Sequence, residues 1–196
     1  MRFLAVLLSV ILLSACGSTK VQRLDSSETV DLSGAWNDSD SRMTAETMVT
    51  DVLHRPWINR HVSKTGNPPT VIVGSIKNLT HEHINTKTFV SDIERELINS
   101  GLVEFVASAN QRGEIREERK DQDLNSTEAT RNAAGQEIGA DYMLTGQINT
   151  IIDANASTQV RYYQVDLTLI SLADNRKVWV GQEKIKKLVE NAKIRY

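Results

Sequence analysis

The stretch from Gln159 to Leu172 constrains this chain more than any other. Tyr163, Val165, Leu167 and Leu169 alternate there with Tyr162, Gln164, Asp166 and Thr168. A period of two sends successive side chains to opposite faces, so this is a half-buried strand with one face on a core. Such a strand needs neighbours along its edges and a layer to cover its apolar face. Asp141 to Ile152 also reads as extended, and Asp153-Ala154-Asn155-Ala156-Ser157 separates the two segments. Ala173-Asp174-Asn175-Arg176 forms a second turn. Lys177 to Lys186, with Val178, Trp179 and Val180, follows it. Tight turns between consecutive strands give an antiparallel meander.

Upstream the pattern changes. Ala45, Met48, Val49, Val52 and Leu53 form one apolar stripe of a helix that Asp40 or Ser41 can cap. Pro56 interrupts that helix and opens a short one containing Trp57, Ile58 and Val62, which ends before Pro68-Pro69. Val71 to Ile76 reads as a strand buried on both faces. Residues 77–85 form a polar loop. A helix from Lys87 to Ser100 presents Phe89, Ile93 and Leu97, with Gly101 at its stop. Leu102 to Val106 is a second strand. Ser108 and Gln111 have capping-box spacing, and eight of the ten residues 112–121 are charged, four of each sign. That is a solvated helix face, not a patch for a polyanion. Asn125 to Glu128 offers another capping box for a helix bearing Ala129, Ala133, Ala134 and Ile138, with Gly139 at its end. Helices between the early strands favour parallel crossovers. The expected fold is a single α/β sandwich domain. Its sheet is mixed and roughly five-stranded, with early parallel crossovers, a C-terminal antiparallel meander and helices packed on the sheet.

The N-terminus is a different kind of sequence. Twelve of residues 1–15 are apolar, and Arg2 precedes a run of eleven residues from Phe3 to Leu13. A membrane-spanning helix needs about 20 apolar residues. The run instead fits the hydrophobic region of a signal peptide. Leu13-Ser14-Ala15-Cys16 follows, with Gly17 after it, and Cys16 is the only cysteine of the chain. This resembles the bacterial lipoprotein signal, in which cleavage before the cysteine leaves it as the lipidated first residue. Ser18, where inner-membrane lipoproteins carry Asp, implies by the same resemblance the periplasmic face of the outer membrane. Several acyl chains, at about 0.8 kcal/mol per buried CH₂, anchor a protein firmly. The expected division is a signal peptide over 1–15, lipidated Cys16 and a polar tether to residue 35, and a globular domain over 36–196. The nineteen residues 17–35 reach at most about 65 Å fully extended.

Several classes of function are disfavoured. The 196 residues carry 23 Lys+Arg against 25 Asp+Glu, without the basic excess of a nucleic-acid binder. One cysteine builds neither a disulfide framework nor a cysteine metal cluster. There is no Gly-x-Ser-x-Gly elbow and no phosphate-binding glycine loop. His81-Glu82-His83 would need His54 or His61 to complete a zinc site, and a polar surface loop accounts for it better. No pair of carboxylates sits on an apolar strand end as glycoside hydrolysis requires. The sequence therefore points to no catalytic residue, metal or cofactor. Asn78, Asn125 and Asn155 stand in glycosylation-type triplets that carry no meaning in a bacterial lipoprotein. Trp36, before the first helix, reads as a staple on the core, and Trp57 and Trp179 read as core. Arg161, Tyr162 and Tyr163 are the candidate protein-binding residues: adjacent tyrosines on a strand face opposite ways, and Tyr and Arg are enriched at interface hot spots.

Three features together resemble one family. They are the lipoprotein signal at Cys16, the segment from Asp31 to Arg42 (DLSGAWNDSDSR), and the segment from Gly139 to Ile148 (GADYMLTGQI). The chain looks like the LpoB-type lipoproteins, outer-membrane activators of penicillin-binding proteins. The likeness covers about residues 31–187. It implies a non-enzymatic regulator that docks on a small regulatory domain of a bifunctional peptidoglycan synthase and raises its rates. The best-known member has a long Pro-rich tether, whereas residues 17–35 here contain no Pro. The second segment also resembles the N-terminal domain of the Tol-system protein TolB and the curli-secretion lipoprotein CsgG. An envelope secretion or structural lipoprotein is thus the alternative. Membrane hairpins would need apolar outward faces, which Asn149, Asp153, Arg161 and Asp166 do not supply.

Overall fold

A computed structural model describes residues 20–190 apart from 133, 134 and 136. The expected signal peptide over 1–15 and Cys16 lie outside the described residues. The elements are α1 (Asp38–Leu53), α2 (Trp57–Thr65), β1 (Thr70–Asn78), α3 (Thr86–Asn99), β2 (Glu104–Phe105), α4 (Ala109–Asn125), β3 (Tyr142–Ala154), β4 (Thr158–Ser171) and β5 (Lys177–Glu190). They form one mixed five-stranded sheet in the order β2-β1-β3-β4-β5. β1 pairs in parallel with β2 and β3. β3, β4 and β5 form the antiparallel meander.

Alternation along β4 sorts the sheet into an inner and an outer face. Tyr163, Val165, Leu167 and Leu169 are buried, and the residues between them are half-exposed. Leu144 and Ile148 of β3 and Trp179 of β5 pair into the same inner face. Helix α1 covers it with Ala45, Met48, Val49 and Val52, and α3 with Phe89, Ile93 and Leu97. Trp57 and Trp179 join this core as expected. Their indole N–H groups donate to the Val52 carbonyl at 2.7 Å and to Asp51 Oδ2 at 2.7 Å.

Four local expectations change. Helix α1 starts earlier than Asp40: Asn37 is its cap, and Asn37 and Asp40 close a reciprocal capping box. Strand β1 is buried on one face only, because α1 and α3 lie on the inner side: Val71 and Ile76 are buried, Ile72 is half-buried and Lys77 exposed. Among the described residues the second capping box starts no helix. Asn125 instead ends α4, its side chain bonding back to Asp121 Oδ1 at 2.9 Å. A single turn at Glu128–Thr130 follows. Ala129 and Ile138 are exposed and so bury too little to offset helix nucleation, and Ala133 and Ala134 lie outside the described residues. Finally, β5 runs on to Glu190, with Ile185, Lys187 and Val189 opposite Tyr163, Arg161 and Gln159.

Gly146 sits on the inner face opposite Leu167. A Cβ there would overlap the carbonyl oxygen of Asp166 and the Leu167 side chain. Gly146→Ala is therefore expected to cost about 1–3 kcal/mol as overpacking. Urea unfolding should show a lower midpoint with an unchanged slope.

Candidate functional site

The first half of β4 carries the three candidate protein-binding residues, and the pleat sends them to two faces. Tyr163 points inward and is fully buried. Its hydroxyl donates to Glu82 Oε1 at 2.6 Å and lies 3.3 Å from the Gly34 carbonyl. Arg161, on the same inner side, donates through Nη1 to the same Glu82 oxygen at 2.8 Å. Glu82 Oε2 accepts the Trp36 backbone N–H at 3.0 Å. The Trp36 ring meets Phe89 and Tyr163 edge-on, at 6.4 and 5.6 Å between centroids, and its indole N–H donates to Ser41 Oγ at 2.8 Å.

Lys187, across from Arg161 on β5, completes this clamp. Its Nζ donates to Asp31 Oδ1 and Asp40 Oδ2, both at 2.6 Å. Asp40 is 2% exposed, and the same Oδ2 accepts the Asn37 N–H at 2.9 Å. Gly34, at φ +66°, passes so close under Val189 that a Cβ would overlap that side chain. Residues 30–36 are thus strapped onto the ends of β4 and β5.

The electrostatics of the clamp follow from its burial. Desolvation, then the hydrogen bond to Glu82, pushes the Tyr163 phenol up to about 12. Burial opposes the charge of Lys187, but Asp31 and Asp40 outweigh it and hold its pKa above the ordinary lysine value. A raised folded-state pKa stabilises the fold fully below the unfolded value and progressively less above it. For Tyr163 that loss spans pH 10 to about 12. An alkaline titration followed at the phenolate absorbance should leave at least one tyrosine protonated at pH 11 in the folded protein. Complete ionisation at pH 11 without unfolding would contradict this placement.

The outer face has a different character. Tyr162 lies in a cross-strand row with Ile151 and Lys186, and the next outward row is Asp153, Val160 and Leu188. Ile151 and Leu188 are 65% and 63% exposed. Asp166 is occupied by the side-chain amides of Gln164 and Gln182, at 2.9 and 2.8 Å. Lys184 and Lys186 have no carboxylate partner among the described residues. The result is an apolar strip of Ile151, Tyr162, Val160 and Leu188, with Asp153 at its β3 side and Lys184 and Lys186 along its β5 side.

His81 and His83 are exposed on the loop after β1, and among the described residues no group of three His, Cys, Asp or Glu is placed to hold a metal. Glu82 between them is the clamp's hub, and nothing in its local sequence marks it. Asp31, Trp36, Asn37 and Asp40 did carry a signal, since all four fall in the segment Asp31 to Arg42. No helix among the described residues is long and apolar enough to cross a membrane.

The family model described as "Peptidoglycan-synthase activator LpoB" matches residues 40–185. No curated protein sequence matches the chain. Among solved structures, the LpoB C-terminal domain from Escherichia coli is similar at 18% identity, covering 76% of this chain and 99% of that one with a TM-score of 0.44. Lipoprotein GNA1162 from Neisseria meningitidis is similar at 16% identity, over 65% of this chain and 88% of that one, with a TM-score of 0.41. A PelC dodecamer chain from Paraburkholderia phytofirmans is similar at 16% identity over 61% and 73% of the two chains, with a TM-score of 0.32.

Proposed function

The chain belongs to the family of peptidoglycan-synthase activators LpoB, and from that premise we propose that it is a lipid-anchored regulator that docks on a bifunctional penicillin-binding protein and activates it. The observation that carries this reading is the family match across residues 40–185. The outer face of β3, β4 and β5 supports it by offering an exposed apolar strip to a partner. Tyr162, Ile151 and Leu188 make the contact, while Lys184 and Lys186 meet carboxylates on the partner's small regulatory domain. Arg161 and Tyr163 contribute from behind, by fixing β4 against the N-terminal strap. The protein performs no chemistry of its own. It binds the active conformation of the synthase more tightly than the inactive one, which is all that activation requires.

Residues 1–15 are the signal peptide, Cys16 carries the lipid at the periplasmic face of the outer membrane, and 36–196 form the domain. With residues 30–36 strapped down and Arg42 reaching the Ser27 carbonyl at 3.3 Å, at most residues 17–29 are left as tether. That length spans at most about 45 Å extended and about 20 Å as a flexible coil. The domain then works close to its membrane, so the synthase must reach toward it. Cys16→Ser should move the protein from the membrane to the soluble fraction of the envelope, and unchanged fractionation would count against the anchor. Binding of residues 17–196 to each purified bifunctional penicillin-binding protein tests the partner. At least one should bind in the micromolar range or tighter; binding to none would overturn the proposal.

A further inference from the structure

At the opposite end of β4 from the strap, roughly 33 Å away at strand rise, lies a pocket of 640 Å³. Helix α2 forms one wall, and the start of β3 and the turn between β4 and β5 form the others. Its floor is fixed. His61 is buried, with Nδ1 3.0 Å from the Tyr142 hydroxyl and Nε2 3.6 Å from Asp141 Oδ2. Asp141 Oδ2 also accepts the Thr70 N–H at 2.9 Å. The Trp57 and Tyr142 rings meet edge-on at 5.1 Å. Tyr142, Leu172 and Val178 give the pocket an apolar side.

Its rim is cationic, which sets it apart in a chain of net charge -2. Arg60, Lys64 and Lys177 line the pocket, and none of them has a carboxylate partner among the described residues. Arg176 is neutralised by Asp174, whose carboxyl its hydrogen bonds hold down to about 2. Asp141 also lines the pocket, its side chain 45% exposed, with Oδ2 engaged by the Thr70 N–H. The four cations Arg60, Lys64, Arg176 and Lys177 outnumber the two carboxylates Asp141 and Asp174, which favours an anion, and the volume is that of a small-molecule pocket rather than of a single ion.

We propose that this pocket is a second binding site, for a small organic acid that presents a carboxylate to Arg60, Lys64 and Lys177 and sets a body the size of one sugar ring against Tyr142, Leu172 and Val178. The site is remote from the partner face and does not depend on the docking proposed there. N-acetylmuramic acid, a sugar bearing one carboxylate, is a suitable probe. Amide spectra of the full chain in detergent should show saturable shifts in residues 60–65 and 171–178 on its addition. Lys64→Glu with Lys177→Glu should weaken the affinity at least tenfold, and the milder Lys64→Gln should weaken it less; both positions are exposed, so the fold is retained. Tyr162→Asp should leave it unchanged, so the failure of one site is distinguishable from the failure of the other. The proposal is overturned if no shifts appear at millimolar probe. It is equally overturned if neutral N-acetylglucosamine binds as well, which removes the role of charge, or if inorganic phosphate does, which removes the role of the ring.

Discussion

Lys187→Ala is expected to lower folding stability by about 3–5 kcal/mol, because removing one partner of a buried ion pair strands the other charge. The side chains of Lys187 and Asp40 are 11% and 3% exposed. The ammonium bridges two carboxylates and an N-terminal strap that has no strand or helix of its own. Exposed pairs such as Lys120–Glu117, at 67% and 75%, contribute only about 0–1 kcal/mol. Chemical denaturation distinguishes the two cases. Adding Asp40→Asn to Lys187→Ala removes the stranded charge and should recover part of the loss, a positive coupling in a double-mutant cycle. Amide exchange over residues 30–36 should quicken in the single variant as the strap lifts. The sign of the pH dependence also follows. The Lys187 pKa is raised above 10.5, so its contribution is complete below that pH and is lost as the pH climbs through the folded-state value. A cost under about 1 kcal/mol would place this pair with the surface ones.

Tyr162→Asp is expected to weaken synthase binding about 30-fold, the loss of one hot-spot residue of about 2 kcal/mol. A carboxylate there would face any acidic partner surface drawn by Lys184 and Lys186, and it would break the apolar strip between Ile151 and Leu188. Stability should change little, since Tyr162 is only half-buried and its hydroxyl serves only Gln164, at 3.2 Å. Ile151→Asp should behave alike. Tyr163→Phe should do the reverse, lowering stability through the Glu82 bond while leaving the docking face intact. Unchanged affinity in both Tyr162→Asp and Ile151→Asp would move the docking face elsewhere on the domain.

What the sequence disclosed depended on how local the signal was. The alternation of β4 and the apolar stripes of α1 and α3 follow from periods that a single segment displays, so the succession of elements, the mixed sheet and its C-terminal meander could be anticipated, but not the spatial strand order. The clamp could not. Lys187 and Asp31 lie 156 residues apart, and Glu82 and Tyr163 lie 81 apart. Glu82 reads locally as one polar residue of a His-flanked loop. The extra length of β5 was hidden because Lys184, Lys186 and Lys187 blur its alternation, although Lys187 alone of the three points inward. Asn125 illustrates the opposite error: its capping-box spacing was real, but the side chain found Asp121 within the preceding helix. The adjacency of Arg161, Tyr162 and Tyr163 guaranteed two faces without saying which was free. Only the burial of Tyr163 and the Arg161–Glu82 pair assign Tyr162 to the open side.

The most direct measurement of the central claim is the rate of glycan-strand synthesis by the bifunctional penicillin-binding proteins of the same cell, with and without this protein. The account predicts that residues 17–196 raise the rate of at least one of them, and that the Tyr162→Asp variant at equal concentration does so markedly less. Equal rates with and without the wild-type protein, across every such synthase, would contradict it.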